Sequence, residues 1–318
     1  TSGNLISLYV FWELTSVTSF LLINLHHHSE KSRGAGLQAL LITNFGGLAI
    51  LSGFILIGNI TGSFELSELL TNGDTISNHP LYLPVIILIL LGAFTKSAQF
   101  PFHFWLPSAM AAPTPVSAYL HSAAMVNAGI YLIARMSPVL GNTVVWQTII
   151  IIFGMVTMFT GAYFFLSQKD MKRILAYATI SALGILVLLL GVGSDLSVKA
   201  ALLYLVVHAF YKATLFMVTG AIDKKTGTRN IYELGNLWKK MPVTMVCSVL
   251  ALASMASVPP MMGYISKKFI FEAKVEFLDK SPYLLILGFI AFIFMFAVSV
   301  LIAYQVFFRK QSMIKKNT

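Results

Sequence analysis

Ionisable side chains stand inside segments of the chain that are otherwise apolar. They are four lysines and one acid, namely Lys96, Lys212, Lys267, Lys268 and Glu13. Each such group costs on the order of 2.5–3.5 kcal/mol when it is placed in the middle of a membrane. Burial favours the neutral form of an ammonium group, whereas a nearby carboxylate favours the charged form. We therefore expect Glu13 and Lys96 to form a pair that gains and loses a proton; a static salt bridge that only joins two helices is the alternative.

Three histidines in the same segments are candidates for a proton relay. His208 and Lys212 are four residues apart and share one face of a helix. His121 lies in the middle of an apolar run, and His103 follows Pro101 closely. Because imidazole titrates near neutral pH, these side chains could pass protons between the lysines. For each of them, a purely structural buried histidine is the alternative.

The composition excludes a water-soluble globule. Hydrophobic residues make up 57% of the 318 residues and charged residues only 11%, whereas soluble domains carry about 25% charged residues. The net charge is +10, but the basic residues lie in short loops, which indicates membrane topology and no nucleic-acid partner. We interpret Cys247, the single cysteine, as a small apolar packing residue.

No motif predicts a cofactor or a metal site. The chain has no Gly-rich phosphate loop, no paired CxxC motif and no convincing catalytic triad. The tract His26-His27-His28 has no further ligand near it in sequence, so no metal site is predicted there.

Nine apolar runs are long enough to cross about 30 Å of hydrocarbon. They cover approximately residues 5–25, 37–58, 83–106, 115–135, 144–166, 171–191, 197–222, 241–271 and 282–308. None shows the two-residue alternation of a barrel strand, so we predict an all-α, polytopic helical bundle that forms a single transmembrane domain over residues 1–318.

Two of the nine runs contain prolines that predict broken helices. Pro101 and Pro107 interrupt the third run, and Pro259-Pro260 interrupts the eighth. A lysine stands near each interruption, which favours a functional break over a simple kink. Paired broken helices are typical of inverted repeats, so we predict half-repeats over about 1–135 and 144–308, followed by a tail at 309–318.

The distribution of basic residues predicts the orientation. Of the 22 Lys and Arg residues, 14 fall on one side of the nine spans, 4 fall on the other, and the remaining four are the buried lysines. By the positive-inside rule, loop 26–36 and the C-terminal tail are cytoplasmic, and the acidic loop 59–80 lies outside. The chain starts at Thr1 and the first span begins almost at once, so we expect that upstream helices are missing.

Several stretches resemble the proton-conducting membrane transporter family, which comprises the antiporter-like subunits of complex I and the Mrp cation/proton antiporters. They are Phe11-Trp12-Glu13-Leu14-Thr15-Ser16, Lys96-Ser97-Ala98-Gln99-Phe100-Pro101, His208-Ala209-Phe210-Tyr211-Lys212-Ala213 and Gly263-Tyr264-Ile265-Ser266-Lys267. The match is collinear over residues 5–308. Within the family, these stretches and His103 are most similar to the A-type subunit of the Mrp antiporters.

The resemblance implies roles for the buried residues. Glu13 and Lys96 correspond to the family's coupled pair, His208 and Lys212 to its central relay, and Lys267 to its terminal lysine. The nine runs then resemble the fifth to thirteenth helices of the family. The chain departs from the pattern at Lys268, where an acid commonly stands.

The resemblance also implies a function. We expect one subunit of a bacterial multi-subunit Na⁺/H⁺ antiporter, which is a secondary transporter in the cell membrane and not an enzyme. Its partners would be Na⁺ or another monovalent cation, H⁺, lipid and other membrane subunits, with no cofactor. One alternative is a proton-pumping subunit of a respiratory NADH:quinone oxidoreductase, and another is a fragment that is inert alone.

Overall fold

A computed structural model describes residues 2–276 and 282–310 of the chain. Within these two ranges the regular structure is helical, apart from two isolated β-bridges. The helices are α1 (Leu5–Ile23), α2 (Glu30–Thr61), α3 (Leu66–Leu69), α4 (Gly73–Ser77), α5 (Tyr82–Lys96), α6 (Trp105–Ser108), α7 (Thr114–Ser122), α8 (Met125–Leu140), α9 (Val144–Leu166), α10 (Met171–Val192), α11 (Asp195–Thr226), α12 (Leu237–Lys240), α13 (Pro242–Ala256), α14 (Met262–Glu276) and α15 (Pro282–Ala303).

The predicted helical bundle is confirmed. In the part of the chain that the structure describes, 7 helical stretches are long and apolar enough to cross a membrane. The third and eighth predicted runs instead contain the shorter apolar helices α5 and α13. Each of these ends within its run and is followed by a second helical piece, as the prolines predicted.

Both breaks leave a residue in the left-handed backbone region. The first follows Lys96, the last residue of α5, and Ala98 has φ of 49°. The indole nitrogen of Trp105 donates to the carbonyl of Thr95 at 2.9 Å and thereby ties the two pieces together. The second break follows α13, where Ser257 has φ of 64°.

A third break was not predicted. The run expected as one span over 115–135 is divided between α7 and α8, at Ala123 and Ala124. No proline or glycine marks the position. The Ser122 hydroxyl bonds to the carbonyl of Ala118, and the Asn127 amide donates to the carbonyl of Ser122 at 2.8 Å. In both bonds a side chain donates to a backbone carbonyl that could otherwise accept from a backbone amide of the helix. Serine and asparagine can interrupt helices in this way.

The central helix is α10, which is buried along nearly all of its length. It packs on α9 through glycines, because a Cβ at Gly184 would lie 2.7 Å from the carbonyl oxygen of Gly154. In membranes, small residues at such interfaces let two backbones approach closely.

The outer helices expose large apolar side chains, among them Phe11 on α1, Leu41 on α2 and Val243 on α13. Such a surface suits hydrocarbon. Cys247 also lies exposed on α13, so its interpretation as a packing residue was wrong.

The loops of the described residues gather at two ends of the bundle. One, called here the basic end, contains residues 24–31, 107–114, 167–173 and 220–236, which line shared cavities. At the other, the acidic end, Asn4 donates to Glu65 at 2.7 Å and the Tyr82 hydroxyl donates to the carbonyl of Leu140 at 2.6 Å. Loop 26–36 therefore shares an end with the loop before α10, as predicted. Of the predicted tail, residues 311–318 lie outside the described residues.

Candidate functional site: buried lysines and histidines

Lys96 is completely buried at the C-terminal end of α5. Its Nζ donates to the carbonyl of Trp12 at 2.6 Å and to the Ser16 hydroxyl at 2.8 Å, and it lies 4.7 Å from the centre of the Trp12 ring. The carbonyl dipoles at the end of a helix favour a cation there. The polar contacts of Lys96 inside the bundle thus come from α1, while the break places the lysine at the end of its own helix.

Glu13 does not form a salt bridge with Lys96 among the described residues, so the alternative of a static ion pair finds no support. Its Oε1 is buried without a hydrogen-bond partner in the described structure, directly against Gly47 of α2. The two charges still lie close enough to interact electrostatically. The coupling of protonation between Glu13 and Lys96 therefore stays a prediction. It would depend on electrostatic interaction across the gap between them and not on a direct contact.

His121 lies behind the first break and is fully buried on α7. Both of its ring nitrogens lack a hydrogen-bond partner among the described residues. The centre of its ring lies 6.5 Å from that of Trp105 and 6.0 Å from that of Phe216 on α11. Since Trp105 bonds to Thr95, the neighbour of Lys96, this aromatic pair connects the first break with α11.

His103 lies apart from these residues. Its ring stacks with Phe100 at 5.9 Å and with Phe164 at 6.3 Å. Those contacts place it beside α9 rather than between two of the predicted relay residues. Its assignment to the proton path remains a prediction.

Lys212 and His208 are both fully buried on α11, as their spacing predicted. Lys212 Nζ donates to the carbonyl of Leu175 on α10 at 2.9 Å. Tyr211 meets the edge of the His208 ring at 5.4 Å, and its hydroxyl lies 3.4 Å from that of Tyr204. The helix thus carries a polar cluster inside the bundle.

Lys267 follows the second break on α14. It is 6% exposed, donates to the carbonyl of Met255 at 3.1 Å and lies 4.5 Å from the centre of the Phe292 ring. It also lines a cavity of about 710 Å³. Like Lys96, this lysine lies beside a helix break and donates to a backbone carbonyl.

Lys268 is not an intramembrane lysine of the same kind, and its assignment was wrong. Its side chain is 63% exposed and lies 3.8 Å from Glu272, one turn further along α14. The acid that commonly follows the family's terminal lysine is thus missing in sequence, but a carboxylate stands one turn away.

Lys172 was missed, because it stands at the very start of the run 171–191 and was counted with the basic residues on one side of the spans. It is 2% exposed at the start of α10, and its Nζ donates to the carbonyl of Ala112 at 2.9 Å. It lies within electrostatic range of His121. The sequence offered one indication of this burial. The run that forms α10 is apolar on almost all sides, and such a helix is expected to be buried along most of its length.

The four buried lysines share one chemical feature. Among the described residues, Lys96, Lys172, Lys212 and Lys267 donate to backbone carbonyls, and none forms an ion pair with a carboxylate. A carbonyl is a neutral acceptor, so it does not fix the charge of the amine as a salt bridge would. The described residues include no group of three or more His, Cys, Asp or Glu side chains that could hold a metal ion.

A multi-span helical bundle with broken helices and ionisable side chains in its interior is typical of ion-translocating membrane proteins. Comparison with known proteins agrees. The chain belongs to the family described as NADH:quinone oxidoreductase/Mrp antiporter, TM, whose model matches residues 2–306.

Among similar proteins, the chain is 45% identical over 328 residues to the A-type subunit of the Na(+)/H(+) antiporter of Alkalihalophilus pseudofirmus, covering 96% of this chain and 41% of the relative. It is 54% identical over 275 residues to a probable K(+)/H(+) antiporter A/B-type subunit of Rhizobium meliloti, covering 86% of this chain and 28% of the relative. The solved Mrp complex of Dietzia sp. contains a similar chain, with a TM-score of 0.88 and 42% identity over 94% of this chain and 33% of that one.

These comparisons confirm the predicted family and the likeness to the A-type subunit of the Mrp antiporters. The chain spans less than half the length of each of these relatives.

Proposed function

We propose that this chain is the proton-conducting part of an A-type subunit in a bacterial multi-subunit monovalent cation/proton antiporter. The observation that carries the proposal is the series of buried lysines bound to backbone carbonyls rather than to carboxylates. Named antiporter subunits among the relatives support it. The chain itself would be a transporter subunit without catalytic activity.

The packing of α11 supports a continuous path. This helix packs against α7, which carries His121, and against α14, which carries Lys267. Protons would pass from the Glu13 and Lys96 pair to His121, then to His208 and Lys212, and finally to Lys267. Both ring nitrogens of His121 lack a hydrogen-bond partner in the described structure, and the rings of Trp105 and Phe216 lie close to it, so proton transfer to and from His121 would require a movement of water or side chains.

The cation and the partners follow from the relatives. We take Na⁺ as the exchanged cation, because one relative is named for it, and K⁺ as the competing assignment, because another is named for that ion. The inward proton gradient supplies the energy, and further membrane subunits complete the complex. The basic end would face the cytoplasm across the cell membrane.

The test is cation-driven loss of ΔpH in everted vesicles from antiporter-deficient cells that express the whole operon. We expect Na⁺ to dissipate the gradient, and Lys96→Ala to lower the rate by roughly 100-fold, the size of a lost proton-transfer group. Lys268→Ala is the matched control, since this lysine is exposed and pairs with Glu272, whereas Lys96 is buried and donates to a backbone carbonyl.

Other outcomes separate the alternatives. Dissipation by K⁺ but not by Na⁺ would change the cation and keep the antiporter. A complex that ignores both cations but acidifies vesicles when NADH is added would be the proton pump of a quinone oxidoreductase, a class that the family model also includes. Equal loss in Lys96→Ala and Lys268→Ala would argue against a special role for Lys96.

A further inference from the structure

Arg229 lies at the basic end, in the loop after α11, and two carboxylates hold its side chain. Its Nε is 3.3 Å from Oδ2 of Asp170 and 3.9 Å from Oδ2 of Asp223. About a third of each side chain is exposed, at 32%, 30% and 35%. Ion pairs between side chains this exposed to water contribute little to stability. The arrangement thus positions Arg229 and yet can open at little cost.

The backbone around Arg229 is anchored more firmly than its side chain. The carbonyl of Arg229 accepts from the backbone amide of Met171 at 3.0 Å. In the same loop, the Glu233 carboxylate accepts from the Thr228 hydroxyl at 2.6 Å and from the Asn230 amide at 2.8 Å. We therefore expect a conformational change at this site to move the side chain of Arg229 and not the backbone of the loop.

The anchor through Glu233 is present at physiological pH. The two donated hydrogen bonds hold the pKa of the Glu233 carboxyl below its ordinary value. A group with a lowered pKa in the folded protein stabilises the fold above its unfolded pKa and loses that effect only as the pH falls through the lowered value. The loop is therefore fixed in the range where an antiporter works.

Arg229 also lines three cavities at the basic end, of about 350, 570 and 610 Å³. Lys172 and Ala112 lie on the wall of the largest of them. The other ionisable residues on that wall are His26, Asp223 and Lys224. Arg229 is thus common to all three cavities, and it shares the wall of the largest one with the buried lysine.

We propose that Arg229 is a gate at the basic end. Held by Asp170 and Asp223, it shields Lys172 and Ala112, which are 2% and 1% exposed on the wall of this open cavity; when its side chain swings away, Lys172 exchanges protons with water. Arginine remains charged at any physiological pH, so this gate opens by movement and not by its own titration. Arg229 is a positioning residue, and its part in transport rests on the proposed function, whereas its control of water access does not.

The experiment measures water access directly, in the complete complex that contains this chain. With Cys247→Ser as background, Ala112→Cys places a thiol at a site that is 1% exposed on the cavity wall. Its labelling by a hydrophilic thiol reagent reports how often this shielded part of the wall becomes accessible to water. If the gate is open in about a tenth of the molecules, Arg229→Ala accelerates labelling by about tenfold.

Two further variants test the ion pairs. Asp170→Asn with Asp223→Asn removes both partners and should match Arg229→Ala. Asparagine caps a helix as well as aspartate does, so the N-cap that Asp170 provides to Lys172 and Arg173 survives. Arg229→Lys keeps the charge and should restore slow labelling at least in part.

Arg173→Gln is the matched control, since this exposed arginine lines one of the same cavities without an ion pair in the described structure. Labelling within twofold of the parent rate in both Arg229→Ala and the double aspartate variant would overturn the gate. If Ala112→Cys does not assemble, Thr114→Cys on the same wall serves as the reporter. A complex without cation-driven transport would contradict the proposed function while the labelling result still decides on the gate.

Discussion

Glu13 lies so close to the backbone of α2 that one glycine determines its position. A Cβ built at Gly47 would overlap the Glu13 carboxylate, which is the flexible end of that side chain. We expect Gly47→Ala to displace the carboxylate and leave the helices in place. Antiport should fall by roughly tenfold or more, because misplacing a reacting group by about 1 Å can cost ~10²-fold in rate. The measurement is cation-driven ΔpH loss at equal amounts of assembled complex.

Gly34→Ala provides the control for Gly47→Ala. It changes the same residue type on the same helix, but nothing lies within 4 Å of the new Cβ. Equal activity of the two variants would show that the exact place of the Glu13 carboxylate does not matter for transport.

The sequence could identify some residues of the site and not others, for a physical reason. Lys96, Lys212 and Lys267 stand out because a charge inside an apolar run has no other ready explanation. Lys172 was counted with the basic residues on one side of the spans, since it starts its run between Asp170 and Arg173. Only the packing of the helices shows that it donates to the carbonyl of Ala112. Lys268 was expected inside the membrane and is exposed instead. The apolar run around it does not show which of two adjacent lysines points inward.

At the scale of the helices, the close contact of α9 and α10 depends on backbone meeting backbone. A Cβ at Gly184 would press against the backbone of Met158 and lie 2.7 Å from the Gly154 carbonyl oxygen, and neither can give way as a side chain could. We expect Gly184→Ala to destabilise the bundle by about 1–3 kcal/mol, the usual cost of overpacking. The check is a lower Tm of the purified complex in detergent.

The matched variant for Gly184→Ala is Gly36→Ala on α2, where the new Cβ would meet only the side chains of Phe20 and Asn24 from 3.4 Å outward. Its Tm should stay near that of the parent complex. If Gly184→Ala melts at the parent temperature as well, the two helices have more freedom to separate than their packing indicates.

Prolines explain why two of the helix breaks could be predicted and the third could not. Pro101 and the pair Pro259-Pro260 remove backbone donors, and that loss is visible in any sequence. The break between α7 and α8 depends on Ser122 and Asn127 bonding to backbone carbonyls, which these residue types do in some helices and not in others. Hydrophobic run length alone therefore predicted one continuous span.

At the scale of the whole molecule, the loops with most of the basic residues gather at one end of the bundle. Loop 26–36, the loop before α10 and the loop after α11 meet there around shared cavities. Arg309 also lies there, 3.5 Å from the carbonyl of Tyr232. The clustering follows from the fold, but the side of the membrane depends on the positive-inside rule alone.

The orientation can be measured with two exposed reporters at opposite ends. In the Cys247→Ser background, we expect Ser167→Cys at the basic end to react with a membrane-impermeant thiol reagent in everted vesicles and not in intact cells. Thr75→Cys at the acidic end should show the reverse, and both side chains are exposed, so access depends on the side and not on burial. Reaction of Ser167→Cys in intact cells would show that the basic end faces the outside of the cell. The Arg229 gate would then control the access of water to Lys172 from outside rather than from the cytoplasm.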